Sequence, residues 1–545
     1  MKMKLAYYLF RRLEQCGVTE TFGIPGDFAL PLYAQQEAYG MKTIVCAHEP
    51  GCVYAADAYS RLKGLGAVLT TYGVGGLNMI NPVAMAYAEH SPVVVISGAP
   101  AVAGRRESLI FHHLVKDYGS QQRIFAEVTC ASASLAEATS AASEIDRVLD
   151  ACLSLKRPGY IEIPLDMTAV EITIPEIPAK CFTGPSANID AVQEAAGEIV
   201  SAFLHAERPV LYAGVGIRRY GLVEAVTKIA ENWGLPVISS VMGKAAFPES
   251  HPNYGGVYMG RMGDKQPREI LENADLVLAA GVIFSDINTG FWTADIGREK
   301  LIEMRDLDVS ISHHTYQRVP MSSLIPYLAT LQPQPQSRMW ATLRRKKMEI
   351  PAETENSQLT TAQLIQALQK LDQRRYSFLA DIGDAWFAGL ELDADVFMAP
   401  GYYATMGFAV PGAIGAGIAA PNLRPLVLVG DGAFQMTGNE LSTLVANRLN
   451  AIVIVLNNGY YKMLSALDGH REYYNLHNWD YVKYAEALGC SGARARTKAE
   501  LYQALEQALA VSAPFMIEAI LQKEDHAPVM QRIKDYIERA AGPAY

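Results

Sequence analysis

The chain has 545 residues, half of them hydrophobic and 19% charged, with a net charge of −10. That length exceeds a single core and predicts about two to four domains of ordinary globular composition. Lys and Arg are scattered, and the longest basic run, Arg344–Lys347, falls in an expected linker, which argues against nucleic acid as a partner.

The N-terminal MKMKLAYYLFRRLEQCG reads as an amphipathic helix without the apolar core of a secretory signal. From there to about residue 180, TIVCA, AVLTTY, PVVVIS and PGYIEIPLD read as strands between helical patterns. A second such segment runs from about 190 to 335, with strands PVLYAG, PVISS and LVLAAG. The stretch LQPQPQSRMWATLRRKKMEIPAETENSQ, rich in Pro and Gln and then in charge, reads as a linker. A third segment begins near 357, with strands SFLADIG, PLVLVGDG, AIVIVLNN and FMIEAIL. The expected domains are 1–182, 183–340 and 357–545, each α/β with a mostly parallel sheet flanked by helices. The first and third share a layout, which predicts two related domains. The apolar runs are too short to span a bilayer, so no membrane partner is expected. Seven scattered cysteines without close pairing predict reduced thiols in a cytoplasmic protein.

Several stretches carry side chains suited to chemistry. FGIPGDFALPLY places Asp27 after a strand and a tight Pro-Gly turn. TIVCAHEPGCVY sets Glu49 at a strand-to-helix junction, with Pro50 at a favoured first helical position and the helix dipole suiting the carboxylate. LIFHHLVKD supplies adjacent His112 and His113. Taken singly, the aspartate reads as a turn cap and the histidines as inert surface groups. ADIGDAW puts Asp384 at a strand end, as a helix cap or as a ligand contact. The run GDGAFQMTGNELSTLVANRLNAIVIVLNN, from Gly430 to Asn458, says more. Asp431 follows one strand and Asn458 follows the next, 27 residues on, close to the roughly 30 residues of one βαβ unit. Both side chains then reach the same carboxyl edge of a parallel sheet, where ligands bind in open α/β folds. Carboxylate and amide oxygens suit Mg²⁺ or Ca²⁺. Gly430 and Gly432 let a phosphate approach the backbone, and the following helix aims its amides there. These residues predict a divalent cation bridging the protein to a diphosphate.

The same run resembles the thiamin-diphosphate motif, which begins GDG and ends NN. AADAYSRLKG and TTYGVGGLNMINPVAMAYAEHSPVVVISGAP resemble the same enzymes, and the likeness spans the chain in three-domain order. It implies thiamin diphosphate (ThDP) and Mg²⁺ as cofactors, the metal held by Asp431, Asn458 and the Tyr460 carbonyl. It also implies contacts to the cofactor from Gly432, Ala433, Ala404, Met463 and Asp384, the last at the diphosphate. Met406 in GYYATMGFAVPG aligns with the bulky residue that wedges the cofactor into its bent form. Glu49 would hydrogen-bond the aminopyrimidine ring and promote loss of the thiazolium C2 proton. With Glu49, the set Asp27, His112 and His113 matches thiamin-dependent 2-keto acid decarboxylases, and these groups can relay protons near neutral pH. Which histidine donates stays open. GVIFSDINTGFWT resembles the middle domain of that family and places Asp286 near the active-site entrance.

One position departs from the pattern. Pyruvate and indolepyruvate decarboxylases of this family carry a glutamate six residues after the second Asn, and here Leu464 stands there in NNGYYKMLSALDG. Asp468 is one helical turn away. The phenylpyruvate/indolepyruvate decarboxylases of the Azospirillum type share this feature, together with GIPGDFALP, HEP, MAPGYYA and GIRRYG. The expected substrate pocket comprises Thr71, Asp286, Met463, Leu464 and Leu467. An apolar pocket favours aryl or long alkyl side chains, each buried CH₂ adding about 0.8 kcal/mol. The expected reaction is non-oxidative decarboxylation of phenylpyruvate, indolepyruvate or a similar 2-keto acid to the aldehyde and CO₂. The alternative is a carboligase of the acetolactate synthase type, which usually binds FAD and lacks the His-His pair. A non-catalytic relative should have lost a key residue, yet Glu49, Asp431 and Asn458 are all present. A nicotinamide enzyme is disfavoured because GVGGLN and GAIGAG do not form a GxGxxG opening a first βαβ unit. The resemblance also implies a dimer with shared active sites, paired into a homotetramer.

Overall fold

The computed structural model describes residues 2–106, 109–174, 186–333, 343 and 358–540. Most of the expected linker with its basic run, the expected domain boundaries and Cys181 lie outside the described residues.

Gly66–Thr70, Val93–Ala99 and Gly159–Pro164 are buried at every position. Strands covered on both faces by helices have that pattern, and it is why they read as unbroken apolar runs rather than alternating ones. They belong to a six-stranded, wholly parallel sheet ordered Lys42–Val45, Glu20–Gly23, Gly66–Thr70, Val93–Ala99, Gly159–Pro164, Ala131–Ser134. A second parallel sheet of six is ordered Phe397–Met398, Tyr376–Ala380, Arg424–Gly430, Ile452–Asn457, Phe515–Ile520, Ser491–Ala495. Numbered along the chain within each sheet, both read 2-1-3-4-6-5. The shared layout of the first and third segments is thus a shared topology. In each, strand order reverses between the first and third strands, and a crevice opens outside their carboxyl ends. Asp27 and Thr71 follow those strands in one sheet; Asp381, Asp384 and Asp431 follow them in the other.

The middle segment builds a mixed sheet of seven. Tyr254–Tyr258, Val237–Ser240, Pro209–Ala213, Leu276–Ala280 and Leu301–Met304 run parallel, and Asp308–Ile311 and His314–Gln317 continue antiparallel. Tight turns join the last three strands, and only antiparallel pairing accommodates connections that short. Among the described residues, no helix is long and apolar enough to cross a membrane.

The first and third domains share one core, in which Tyr54, Ala55 and Tyr59 pack with Phe408, Ala413 and Ala416. Helix Glu49–Lys63 lies against helix Ala409–Ala419, whose sequence AVPGAIGAGIA carries few bulky side chains. A Cβ at Gly415 would sit 1.8 Å from the Ala55 carbonyl oxygen. Gly415→Ala is therefore expected to lower the melting temperature. Overpacking costs about 1–3 kcal/mol and outweighs the helix-propensity gain of about 1 kcal/mol. An unchanged unfolding midpoint would show that the two helices can slide apart. Glu89 ties the same two domains by accepting the Tyr402 and Tyr403 amides at 2.6 and 2.9 Å. Arg219 of the middle domain donates to the Glu89 carbonyl at 3.2 Å.

Candidate functional site

The strand Arg424–Gly430 ends where the helix Asp431–Thr437 begins, so Asp431 is fixed at the sheet's carboxyl edge. Its Oδ1 accepts the Gly432 amide at 2.9 Å, and its Oδ2 accepts the Asn458 and Gly459 amides at 3.0 and 2.6 Å. Asn458 Oδ1 in turn accepts the Tyr460 amide at 2.9 Å. The Tyr460 carbonyl takes the Lys462 amide at 2.8 Å, leaving one lone pair. Asp431 is only 3% exposed. Burial pushes its pKa up to about 6, against the lowering effect of the backbone amides. Among the described residues no cationic side chain forms an ion pair with it. A buried carboxylate held only by amides, beside amide and carbonyl oxygens, fits a divalent cation that would supply the missing charge. Gly432 packs against the Tyr461 ring, 2.5 Å from where its Cβ would lie, while nothing stands within 4 Å of a Cβ at Gly430, which leaves that side open to a phosphate; Ala433 is buried next to Gly432.

Asp384 turns elsewhere. Its Oδ1 accepts the Ala527 amide at 2.9 Å, and its Oδ2 meets Lys462 Nζ at 3.3 Å and Thr361 Oγ1 at 3.5 Å. Those bonds brace the helix Lys462–Asp468 against the C-terminal segment, with Asp384 at the carboxyl end of its strand, where the diphosphate contact is expected. The buried Lys462 was not foreseen. Nor was Asp381, fully buried and three residues earlier, which accepts the Gly407 amide at 3.0 and 3.1 Å and the Ala409 amide at 2.9 Å. Burial pushes Asp381 up to about 6 as well. It fixes the turn that presents Ala404, in a left-handed conformation at φ 61°, and the half-buried Met406. The only hint in the sequence was an acid directly after a strand, in ADIGD.

Met463 is half-buried, its Cβ 3.9 Å from where a Cβ at Gly383 would stand. Leu464 and Leu467 are 44% and 40% exposed, so a single chain does not close the apolar pocket expected of them. Asp468 pairs with Arg471 at 3.0 Å and accepts from Tyr474 at 3.1 Å, which directs it away from Leu464's role.

The second half of the site lies in the first domain. Asp27 opens a short turn after Glu20–Gly23, and its Oδ2 contacts His112 Nε2. Its Oδ1 accepts from Thr71 Oγ1 at 3.3 Å and lies 3.9 Å from His113 Nδ1. Burial raises the Asp27 pKa, but the His112 bond, the Phe28 amide and the charges of both histidines outweigh it and hold the carboxyl below its usual range. Glu49 begins its helix, with its side chain 18% exposed. Its Oε2 accepts from Asn78 Nδ2 at 2.8 Å, and that nitrogen lies 2.8 Å from His48 Nε2. Asn78 was another residue the sequence reading missed. Asp286 is exposed and accepts the Ile287 amide at 2.8 Å. Among the described residues no hydrogen bond joins it to Asp27, or joins Glu49 to Asp431 or Asn458.

Known proteins divide in the same three parts. The model of the thiamine pyrophosphate enzyme N-terminal TPP binding domain matches residues 3–124, that of the central domain 196–325, and that of the C-terminal TPP binding domain 384–519. The chain is 36% identical to the indole-3-pyruvate decarboxylase of Azospirillum brasilense over 96% of both chains. It is 31% identical to a probable pyruvate decarboxylase of Schizosaccharomyces pombe, over 96% of this chain and 94% of that one. Similarity to the alpha-keto-acid decarboxylase of Mycobacterium leprae is 31%, over 95% and 93%.

Proposed function

Because the chain belongs to the thiamine pyrophosphate enzymes and is a ThDP-dependent 2-keto acid decarboxylase, we propose that its substrates carry an aryl or long alkyl side chain, with Mg²⁺ as the metal. Phenylpyruvate and indolepyruvate are the leading cases. The observation that carries this reading is Leu464, an exposed apolar side chain at the position where pyruvate and indolepyruvate decarboxylases carry a carboxylate. The name of the Azospirillum relative supports it.

Asp431, Asn458 and the Tyr460 carbonyl are the groups to hold Mg²⁺, and the backbone at Gly432 and Ala433 suits the diphosphate, with Ala433 as the amide donor because the Gly432 amide goes to Asp431 Oδ1. Bound ThDP supplies the electron sink for cleavage of the carbon–carbon bond. Met406, steadied through Asp381, shapes the cofactor's seat. Glu49, oriented by Asn78, exchanges a proton with the pyrimidine ring. Asp27 and the two histidines give and take the protons that the substrate oxygen and product carbon need, and Thr71 orients Asp27. Asp286 belongs at the entrance. The six cysteines among the described residues are free thiols, which supports a reducing, cytoplasmic setting.

Purified protein with ThDP, Mg²⁺ and a panel of 2-keto acids tests the reading by the aldehyde released. Phenylpyruvate and indolepyruvate are expected to exceed pyruvate in kcat/KM. Equal turnover of pyruvate would sink the pocket argument, and no aldehyde from any acid would sink the reaction. Leu464→Glu is expected to cut kcat/KM for phenylpyruvate by about tenfold or more, since an apolar side chain seated against a carboxylate costs on the order of 1–3 kcal/mol, while pyruvate is spared.

A further inference from the structure

We propose that Asp27, His112 and His113 form a site for one Zn²⁺-class transition-metal ion, distinct from the Mg²⁺ cradle, and that filling it halts the proton relay. One donor atom from each of the three residues lies within 4.8 Å of the other two. Two imidazole nitrogens and a carboxylate make a three-ligand set of the kind that holds zinc with a coordination position open. Bonds of about 2.0–2.2 Å set tetrahedral donors roughly 3.3 Å apart, so the direct Asp27–His112 contact opens to admit the ion while His113, 3.9 Å from Asp27 Oδ1, draws in by under an ångström. Asp27 and His112 are exposed, so they can shift toward solvent.

Backbone geometry explains why adjacent histidines serve one ion. Consecutive side chains in an extended chain point to opposite sides. His113 adopts φ 69°, a left-handed conformation that is costly for a non-glycine residue. That turn brings both rings to the Asp27 side, with centroids 4.6 Å apart. Gly73 leaves room for it, since a Cβ there would lie 2.4 Å from the His113 carbonyl oxygen. Phe28 walls the cluster, its ring centroid 4.8 Å from His112 and 5.7 Å from His113. His113 Nδ1 is buried without a hydrogen-bond partner, and an ion would satisfy it.

The two sites differ in donor type. The cradle offers only oxygen to a metal, which suits Mg²⁺, whereas imidazole nitrogen favours Zn²⁺, Co²⁺ and their neighbours. Magnesium is therefore no competitor at the relay, and the chain sorts two metals into two places.

Co²⁺ is the probe, added to full-length protein saturated with ThDP and Mg²⁺. Nitrogen-ligated Co²⁺ of low coordination absorbs strongly in the visible, and oxygen-ligated octahedral Co²⁺ in the cradle absorbs weakly. The expected result is one strongly absorbing Co²⁺ per chain, displaced by Zn²⁺ and not by further Mg²⁺. His113→Asn, which tolerates the left-handed backbone, and His112→Gln are each expected to weaken that binding at least tenfold. Zn²⁺ is expected to stop turnover of the wild-type holoenzyme, and a chelator followed by fresh Mg²⁺ to restore it. No strong band, a band unchanged in both histidine variants, or displacement by Mg²⁺ would overturn the proposal. The optical readout needs no substrate, so it stands apart from the choice of keto acid.

Discussion

Asp431→Ala is expected to abolish turnover and to erase the rise in melting temperature that ThDP with Mg²⁺ gives the wild-type chain. A ligand present at one hundred times its Kd stabilises a protein by about 2.7 kcal/mol, and without the carboxylate most of that is lost. Acidity should reveal the same residue in two opposite ways. Burial raises Asp431 and Asp381 to about 6 in the ligand-free protein, against an ordinary 3.8. Their folded pKa values are raised, so the folded state holds more protons than the unfolded state between those limits. The ligand-free protein therefore gains stability from these two groups as pH falls from about 6 toward 4, and loses it as pH rises through 6. The cofactor's contribution runs the other way. Metal binds the ionised carboxylate, so below pH 6 protons compete and apparent affinity falls by about tenfold per pH unit. Melting curves with and without ThDP and Mg²⁺, on either side of pH 6, should converge under acid. A cofactor-dependent shift that persists in Asp431→Ala would contradict the cradle.

The cradle was legible because a single βαβ unit fixes it. Once Arg424–Gly430 and Ile452–Asn457 are adjacent parallel strands, Asp431 and Asn458 have to meet at one edge, whatever the rest of the fold does. Buried strands were legible for a similar reason: a run such as VVVIS has no polar face to show. The two strands Asp308–Ile311 and His314–Gln317 were missed because they are short and lie toward an edge, with DVSI and HTYQ carrying the polar residues of a loop. Asp381 and Asp384 follow the same strand and look equivalent. What separates them is a partner far along the chain, Gly407 for one and Lys462 for the other. Lys462 illustrates the limit most clearly. A lysine beside Tyr461 reads as solvated, and only the arrival of Asp384 from 78 residues away keeps it buried. Asn78 meets Glu49 only because the turn after Gly66–Thr70 folds back over the helix start.

Glu49→Gln should cost turnover about 10²- to 10⁴-fold, the span of general acid–base catalysis, while leaving the ThDP-dependent melting shift in place. The pair of outcomes separates chemistry from cofactor binding. The same residue also tests assembly. Glu49 faces Asn78 in its own domain, and among the described residues no hydrogen bond joins it to the Asp431 cradle of its own chain. Leu464 and Leu467 are exposed on the helix Lys462–Asp468. We propose that a second copy of the chain completes the site. In a heterodimer of Glu49→Ala with Asp431→Ala, shared sites would leave one of the two sites with both lesions and the other with none. Activity should then return on mixing two inactive variants and refolding them together. Sites built within one chain predict the reverse, because every chain then carries a lesion in its own site. Silent heterodimers, verified as such by differently tagged subunits, would rule out sharing.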